Sequence, residues 1–242
     1  MDRTKKIILI SLVSLVVVGL TTAIIIRVVR KRKLGSVKIK NKNPKKILIV
    51  GDSQSAIQNA SGGKITYTYP NILREKLDDK GVSIDVLALG GKTTDWMKKN
   101  LPSKLENKKY DRVIIYGGGN DTSNASIPLE KTLNNIQYMV DMARENGADA
   151  FVNLGYKVEG KFGDIDILPV GRPANLLTSK EQWIPYVEKR KELQKLIPKK
   201  INNANFIPVY DLQSKTTDGI HPTSSGHKIV ADKVYDSIVK KY

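Results

Sequence analysis

The 242-residue chain has enough apolar residues, 40% of the total, to bury the core of one α/β domain, and it is too short for two. Its lack of cysteine excludes disulfide bonds, thiolate metal sites and a cysteine nucleophile. The formal charge of +17 is concentrated near the N-terminus: residues 1–46 hold 13 of the 41 Lys and Arg residues and one of the 24 acidic residues, which leaves 28 against 23 for the rest. This distribution removes the main argument for nucleic-acid binding.

An apolar run near the N-terminus predicts a membrane anchor. Residues 1–6 are short and basic, and residues 7–26 then contain no charge. A mainly apolar run of 20 uncharged residues matches the length that a helix needs to cross about 30 Å of hydrocarbon, so we predict a single-pass transmembrane helix. A cleaved signal peptide is the alternative. The length of the run, and its end at Arg27 without a small-residue cleavage site, favour the anchor.

A polybasic segment follows the predicted anchor. Residues 35–44 are polar and basic and lack a hydrophobic period, so residues 27–44 are predicted as a polybasic linker to a domain at residues 45–242. The cations of residues 27–46 suit anionic lipid head groups, at roughly 1 kcal/mol each. The positive-inside rule would keep this segment in the cytoplasm, whereas an enzyme that acts on envelope esters needs the opposite orientation. The side of the membrane therefore stays open.

Short apolar runs alternate with helical patterns along the domain, which predicts βα units around a parallel sheet. Strands covered on both faces are expected at residues 47–50, 84–89, 113–116, 150–154 and 206–209. Helices are expected at residues 69–80, 94–105, 129–146, 180–196 and 224–240, with a long loop at 155–178. The predicted fold is a flavodoxin-like three-layer α/β/α sandwich around a five-stranded parallel sheet.

Residues that carry chemistry follow four of the five predicted strands. The first strand leads into GDSQS, which contains Ser53, and the second into GGKTT, which contains Gly91. The third leads into GGGND with Asn120, and the fifth is followed by DGIHP with Asp218 and His221. Because ligands of such folds bind outside the carboxyl ends of the strands, we expect these segments to meet at one site.

The residue types in these segments fit nucleophilic catalysis. A serine hydroxyl needs a base to take its proton, and His221 is one of two histidines in the chain. Asp218, three residues earlier, is suited to accept from the other imidazole nitrogen and hold the productive tautomer. Each motif alone is also explained as a turn or a helix cap, and the combination favours catalysis. Asp52 and Asp121 are expected to be structural, and His227 to have a surface or packing role.

The four segments together resemble the sequence blocks of the SGNH (GDSL-like) hydrolases, which read GDS, a glycine, GxND and DxxH. The resemblance spans about residues 46–240. It implies a serine esterase without a metal or an organic cofactor, in which the backbone amides of Ser53 and Gly91 and the side-chain amide of Asn120 form the oxyanion hole. Gln54 stands where many members have leucine, which blurs the subfamily and hence the substrate.

The resemblance implies hydrolysis of O-acyl esters by a Ser-His-Asp triad. For an anchored member we expect O-acetyl esters of cell-envelope or surface glycans, with lipid esters next. Transfer of the acyl group to a hydroxyl other than water stays open, as do the acyl chain and the oligomeric state. A membrane-tethered binding or structural protein that keeps the fold without turnover is the alternative. Nucleic-acid binding comes third, because the charge count of the domain does not support it.

Overall fold

The computed structural model describes residues 37–58, 62–156, 180–209 and 220–240. The predicted anchor at residues 7–26 and nearly all of the predicted loop at 155–178 therefore lie outside the described residues. Within the four described ranges, none of the helices combines the length and the apolar character that crossing a membrane requires.

One parallel sheet of five strands forms the centre of the domain. The strands are β1 (Lys46–Gly51), β2 (Ser83–Ala88), β3 (Arg112–Tyr116), β4 (Asp149–Asn153) and β5 (Asn205–Ile207). Their order is β2-β1-β3-β4-β5, and every neighbouring pair is parallel. The five predicted strands are thus confirmed, in the order typical of flavodoxin-like sheets. The carboxyl ends of β1 and β3 lie side by side, since Gly51 pairs with Tyr116.

Helices cover both faces of the sheet. They are α1 (Tyr69–Leu77), α2 (Thr94–Leu105), α3 (Gly119–Ser123), α4 (Leu129–Glu145), α5 (Lys180–Lys200) and α6 (Ser224–Tyr235). Leu48 and Val50 of β1 belong to an apolar cluster with α2, α4 and α5, whereas Ile47 and Ile49 belong to a second cluster with α1 and α6. Because successive strand residues point to opposite faces, continuous apolar strands fill both layers. The α/β sandwich is confirmed, and the short α3 is an addition to the predicted helices.

Residues 37–44, which the sequence assigns to a linker, pack against the domain instead. The side chain of Ile39 is buried in the cluster with α1 and α6. The Asn41 side chain donates a 2.7 Å hydrogen bond to one carboxylate oxygen of Asp111. The other oxygen accepts from the backbone N–H of Lys45, also at 2.7 Å. The fold therefore begins before Lys45, because a carboxylate at the start of β3 binds a polar stretch that has no hydrophobic period.

Candidate active site

Ser53 lies in the tight turn that follows β1, at the carboxyl edge of the sheet. The backbone N–H of Ser55 closes this turn by donating to the carbonyl of Asp52 at 3.0 Å. The buried Asp52 carboxylate accepts from the backbone N–H of Gln54, also at 3.0 Å. This local hydrogen bond is the kind that aspartate makes in turns. The turn leaves the Ser53 side chain half-buried at the edge of the sheet.

The Ser53 hydroxyl and the His221 imidazole are in direct contact. Oγ lies 2.9 Å from Nε2, within the reach that a general base needs. His221 comes just before α6, whose first turn is fixed by the hydroxyl of Thr223 accepting from the N–H of Gly226 at 3.2 Å. The end of β1 and the start of α6 thus bring together the two residues that the sequence singles out. Asp218 lies outside the described residues.

A cleft open to solvent adjoins this pair. Its lining includes Ser53 and His221, Asn120 from α3, and two residues of α5, Tyr186 and Arg190. The carboxyl edge of the sheet therefore holds a space in which a small substrate group can reach the serine hydroxyl.

Gln54 and Tyr156 fix the backbone beside His221. The side-chain Nε2 of Gln54 donates to the carbonyl of Ile220 at 2.8 Å, and Ile220 directly precedes His221. The Tyr156 hydroxyl is directed at Gln54 Oε1, 2.9 Å away, and at the same Ile220 carbonyl. Both Gln54 and Tyr156 are buried. The residue that departs from the GDSL pattern is therefore the one that links the Ser53 turn to the backbone before His221.

Gly91 lies in the turn that joins β2 to α2. The turn is closed by the N–H of Lys92 donating to the carbonyl of Leu89 at 3.4 Å. Gly91 has a φ of 74°, in the left-handed region that favours glycine. A Cβ built on the neighbouring Gly90 would lie 3.8 Å from Ser53 Cβ, so this turn lies beside the Ser53 turn. Gly91 itself is exposed and does not line the cleft.

Asn120 connects the third predicted segment to the second. It lies in the first turn of α3, and its Nδ2 donates to the carbonyl of Lys92 at 2.9 Å. A side-chain amide has two N–H donors, so this bond leaves one for another acceptor. Asn120 lines the cleft together with Ser53 and His221. The sequence-predicted residues Ser53, Asn120 and His221 thus share one cleft, with Gly91 in the adjacent turn.

Asp121 holds the helices around Asn120 together. Its buried carboxylate accepts from the backbone N–H of Thr94 at 3.0 Å and from the Thr94 hydroxyl. It also accepts from the hydroxyl of Thr132 at 3.3 Å. Thr94 begins α2 and Thr132 lies in the first turn of α4, so a single carboxylate joins both helices to α3. Asp121 therefore has the structural role that the sequence predicts, and its carboxylate holds α2 and α4 in addition to its own helix α3.

Asp52 is an unusual carboxyl group for its position. Burial raises its pKa to about 6, although the hydrogen bond from the Gln54 N–H and the charges of Arg190 and His221 act in the opposite direction. Asp52 therefore changes its protonation state near pH 6, one residue before Ser53.

His227 packs against the start of α1. Its Nδ1 accepts from the backbone N–H of Tyr69 at 3.3 Å. Burial, with a smaller contribution from the charge of His221, lowers its pKa to about 4. His227 is therefore neutral at neutral pH and acts as a hydrogen-bond acceptor, in keeping with the packing role expected from the sequence.

A serine and a histidine in hydrogen-bond contact beside an open cleft, at the carboxyl edge of a parallel sheet, are the parts from which serine hydrolases are built. The chain belongs to the GDSL-like Lipase/Acylhydrolase family, whose model matches residues 49–229. The resemblance to SGNH hydrolases is thereby confirmed. The chain is a carboxylic ester hydrolase of the SGNH type, an esterase or acylhydrolase.

Solved structures of three other proteins share the fold. TesA is 22% identical with a TM-score of 0.55, over 80% of this chain and 97% of TesA. The psychrotrophic esterase EstA from Pseudoalteromonas sp. is 20% identical with a TM-score of 0.52, over 81% and 97%. The acetylxylan esterase Axe2 from Geobacillus stearothermophilus is 16% identical with a TM-score of 0.56, over 82% and 96%. Likeness at these identities establishes the fold and not the substrate. No curated protein sequence matches this chain significantly.

Four residues at the site were not predicted as functional. Gln54 could have been singled out from the sequence, because it replaces the leucine of the family pattern. Tyr156 lies three residues after the end of β4, next to Gly155. A loop position of this kind does not indicate that the hydroxyl is buried. Tyr186 and Arg190 belong to α5, and Arg190 stands in the charged run EKRKE of that helix. The sequence therefore predicts that Arg190 faces solvent. Its burial becomes visible only when α5 is packed on the sheet.

Proposed function

We propose that Ser53 is the nucleophile of this ester hydrolase and that His221 is its general base. The observation that carries the proposal is the 2.9 Å contact between Ser53 Oγ and His221 Nε2. In this scheme Nε2 accepts the hydroxyl proton, so the other ring nitrogen carries the second proton. We assign the carboxylate that accepts from that nitrogen to Asp218, on the basis of the DxxH spacing.

The reaction then proceeds in two balanced halves. Ser53 Oγ attacks the ester carbonyl while its proton moves to His221. The imidazolium next protonates the leaving alcohol, and an acyl-enzyme forms. Water attacks that acyl group and gives a proton to His221, which passes it to Ser53 Oγ as the acyl bond breaks and the acid leaves. Transfer to a second alcohol instead of water follows the same steps.

The tetrahedral intermediates of both halves carry an oxyanion that needs donors already in place. We assign these donors to the backbone N–H groups of Ser53 and Gly91 and to the side-chain amide of Asn120. The second N–H of the Asn120 amide is left for this purpose by the bond to Lys92, and the turn that contains Gly91 lies beside the Ser53 turn. Each such donor contributes about 3 to 4 kcal/mol in other hydrolases.

The substrate class that we propose is O-acetyl esters of cell-envelope or surface glycans. Axe2, which has the same fold, is an acetylxylan esterase. Lipid esters come second in this proposal.

We also propose that residues 7–26 anchor the protein in a membrane and that the cations of residues 27–46 bind anionic lipid. The length and uniform apolar character of the run support the anchor. Alkaline extraction of membranes tests it: the full chain should stay in the pellet, and a chain that starts at Ser36 should not. Release of the full chain into the supernatant would contradict the anchor and leave the esterase proposal untouched.

The catalytic assignment is tested by hydrolysis of 4-nitrophenyl acetate by the full chain. Ser53→Ala should reduce kcat/KM by at least about 1,000-fold, as loss of a triad member does elsewhere. His221→Ala should have a similar effect. Ser103→Ala, which removes an exposed hydroxyl on α2, is the matched control and should behave as the wild type. Equal turnover by Ser53→Ala and wild type would overturn the assignment and favour a tethered binding protein with the same fold.

A further inference from the structure

Arg190 is an unusual residue in the cleft. Its side chain is only 6% exposed, yet it lines the same space as Ser53 and His221. It enters this space from α5, with its guanidinium 5.8 Å from the centre of the Tyr156 ring. An arginine stays charged at every pH the protein meets, so burial cannot neutralise it. A permanent positive charge therefore lies at the wall of the site.

Part of the hydrogen-bonding capacity of the Arg190 guanidinium is unused within the described residues. Within the described part of the chain, Nε is buried and has no hydrogen-bond partner, and no carboxylate forms an ion pair with Arg190. The Tyr156 ring and the buried Asp52 carboxylate offset part of the charge of Arg190, which acts to lower the pKa of Asp52. A buried donor without an acceptor costs free energy, and a ligand that supplies the acceptor removes that cost.

The backbone around the guanidinium is shaped to admit it. A Cβ on Gly119 would lie 2.7 Å from Nη1, and a Cβ on Gly155 would lie 3.2 Å from Nη2. These glycines follow β3 and β4, at the same edge of the sheet as Ser53. Gly119 also directly precedes Asn120. The absence of two side chains thus lets Arg190 reach the carboxyl edge beside the residues assigned to the reaction.

We infer that Arg190 binds a carboxylate carried by the ester substrate, so that the enzyme selects acidic esters. The planar fork of N–H donors matches the two oxygens of a carboxylate, and a charge-assisted pair inside a cleft is stronger than a neutral hydrogen bond. The inference rests on the proposed function, because it names the substrate class of the same site. An acetylated sugar that also bears a carboxylate fits it.

Two pairs of esters test the inference with the full chain. On the acyl side, the 4-nitrophenyl monoester of adipic acid is compared with 4-nitrophenyl hexanoate. On the alcohol side, 3-acetoxybenzoate is compared with phenyl acetate. The quantity measured is the ratio of kcat/KM for the acidic ester to that for its neutral partner. In at least one pair the wild-type ratio should be about 10 or more, and Arg190→Gln should lower it about 10- to 100-fold.

Two further variants separate specific binding from general charge. Arg190→Lys keeps the charge without the fork and should give an intermediate ratio. Lys191→Gln removes one exposed cation from the same helix turn and should keep the wild-type ratio. Wild-type ratios of one or less in both pairs overturn the inference even if no Arg190 variant folds. The same holds if Arg190→Gln folds and keeps the wild-type ratios.

Failure of the proposed function gives a different result, namely no Ser53-dependent turnover of any of the four esters. Calorimetric titration with adipate then tests the carboxylate site directly. Binding by the wild type that is lost in Arg190→Gln would support the site without catalysis. No binding by the wild type would overturn it.

Discussion

Replacement of Gln54 by leucine, the residue common in the family, tests how the backbone next to His221 is held. The change keeps most of the side-chain volume, so packing is largely conserved. It removes the 2.8 Å bond from Nε2 to the Ile220 carbonyl and the acceptor that lies 2.9 Å from the Tyr156 hydroxyl. The hydroxyl can still donate to Ile220, so that carbonyl is not left without a donor.

The magnitude follows from these contacts. A buried neutral hydrogen bond contributes about 1 kcal/mol, and the Tyr156 hydroxyl offsets part of the loss, so the total is about 1 to 2 kcal/mol. If this free energy serves to hold His221 against Ser53, kcat falls about 5- to 30-fold. KM should change less than about twofold, because the Gln54 side chain is buried and its amide is bonded to Ile220 and Tyr156.

The assay is steady-state hydrolysis of 4-nitrophenyl acetate, with urea unfolding of the same protein samples. Gln58→Leu is the matched control, because Gln58 is exposed and lies in the same loop as Gln54. A kcat within twofold of wild type in Gln54→Leu, together with a lower free energy of unfolding, would refute the reasoning. Gln54 would then stabilise the fold without positioning His221.

Two pH-dependent predictions concern buried titratable groups. Burial raises the pKa of Asp52 from 3.8 to about 6, so its contribution to stability is present at low pH and is lost as pH rises through 6. In urea unfolding, the free energy of unfolding of Asp52→Asn minus that of the wild type should increase by roughly 1 kcal/mol from pH 5 to pH 8. A difference that stays constant over this range would contradict the raised pKa. Burial, then the charge of His221, lowers the pKa of His227 from 6.5 to about 4, so stability is present above 6.5 and is lost as pH falls toward 4. Between pH 6.5 and pH 4 the free energy of unfolding of the wild type should therefore fall by about 1 to 2 kcal/mol more than that of His227→Gln, a value reduced to allow for the partial exposure of the imidazole. Equal decreases in the two proteins would exclude this role.

The five-stranded parallel sheet could be predicted because the apolar runs are continuous and the connections are helical. Residues 94–105 were expected as a helix and form α2 with the same bounds. The start of the domain was placed too late, because Ile39 and Asn41 are held by contacts to β3 and to an apolar cluster that no local pattern announces. Local periodicity indicates which face of a helix or strand is buried. It gives no information about a contact such as that between Asn41 and Asp111, which are far apart in the sequence.

The Ser53–His221 pair could be predicted because both residues follow a predicted strand or precede a predicted helix at the same edge of the fold. Arg190 could not, because its neighbours in α5 are mostly charged and its burial depends on two glycines in other loops. The polar contacts of Gln54 and Tyr156 likewise join positions 102 residues apart. Such tertiary hydrogen bonds follow from packing and leave no periodic trace in the sequence.

The central claim is that Ser53 is a nucleophile activated by His221. Labelling of the full chain with a fluorophosphonate, followed by peptide mass spectrometry, tests it most directly, because these reagents form a bond to an activated serine oxygen. The account predicts one adduct, on the peptide that contains Ser53, absent from Ser53→Ala and at least about 100-fold slower to form in His221→Ala. An adduct on another residue, or labelling of Ser53 at an unchanged rate in His221→Ala, would contradict it.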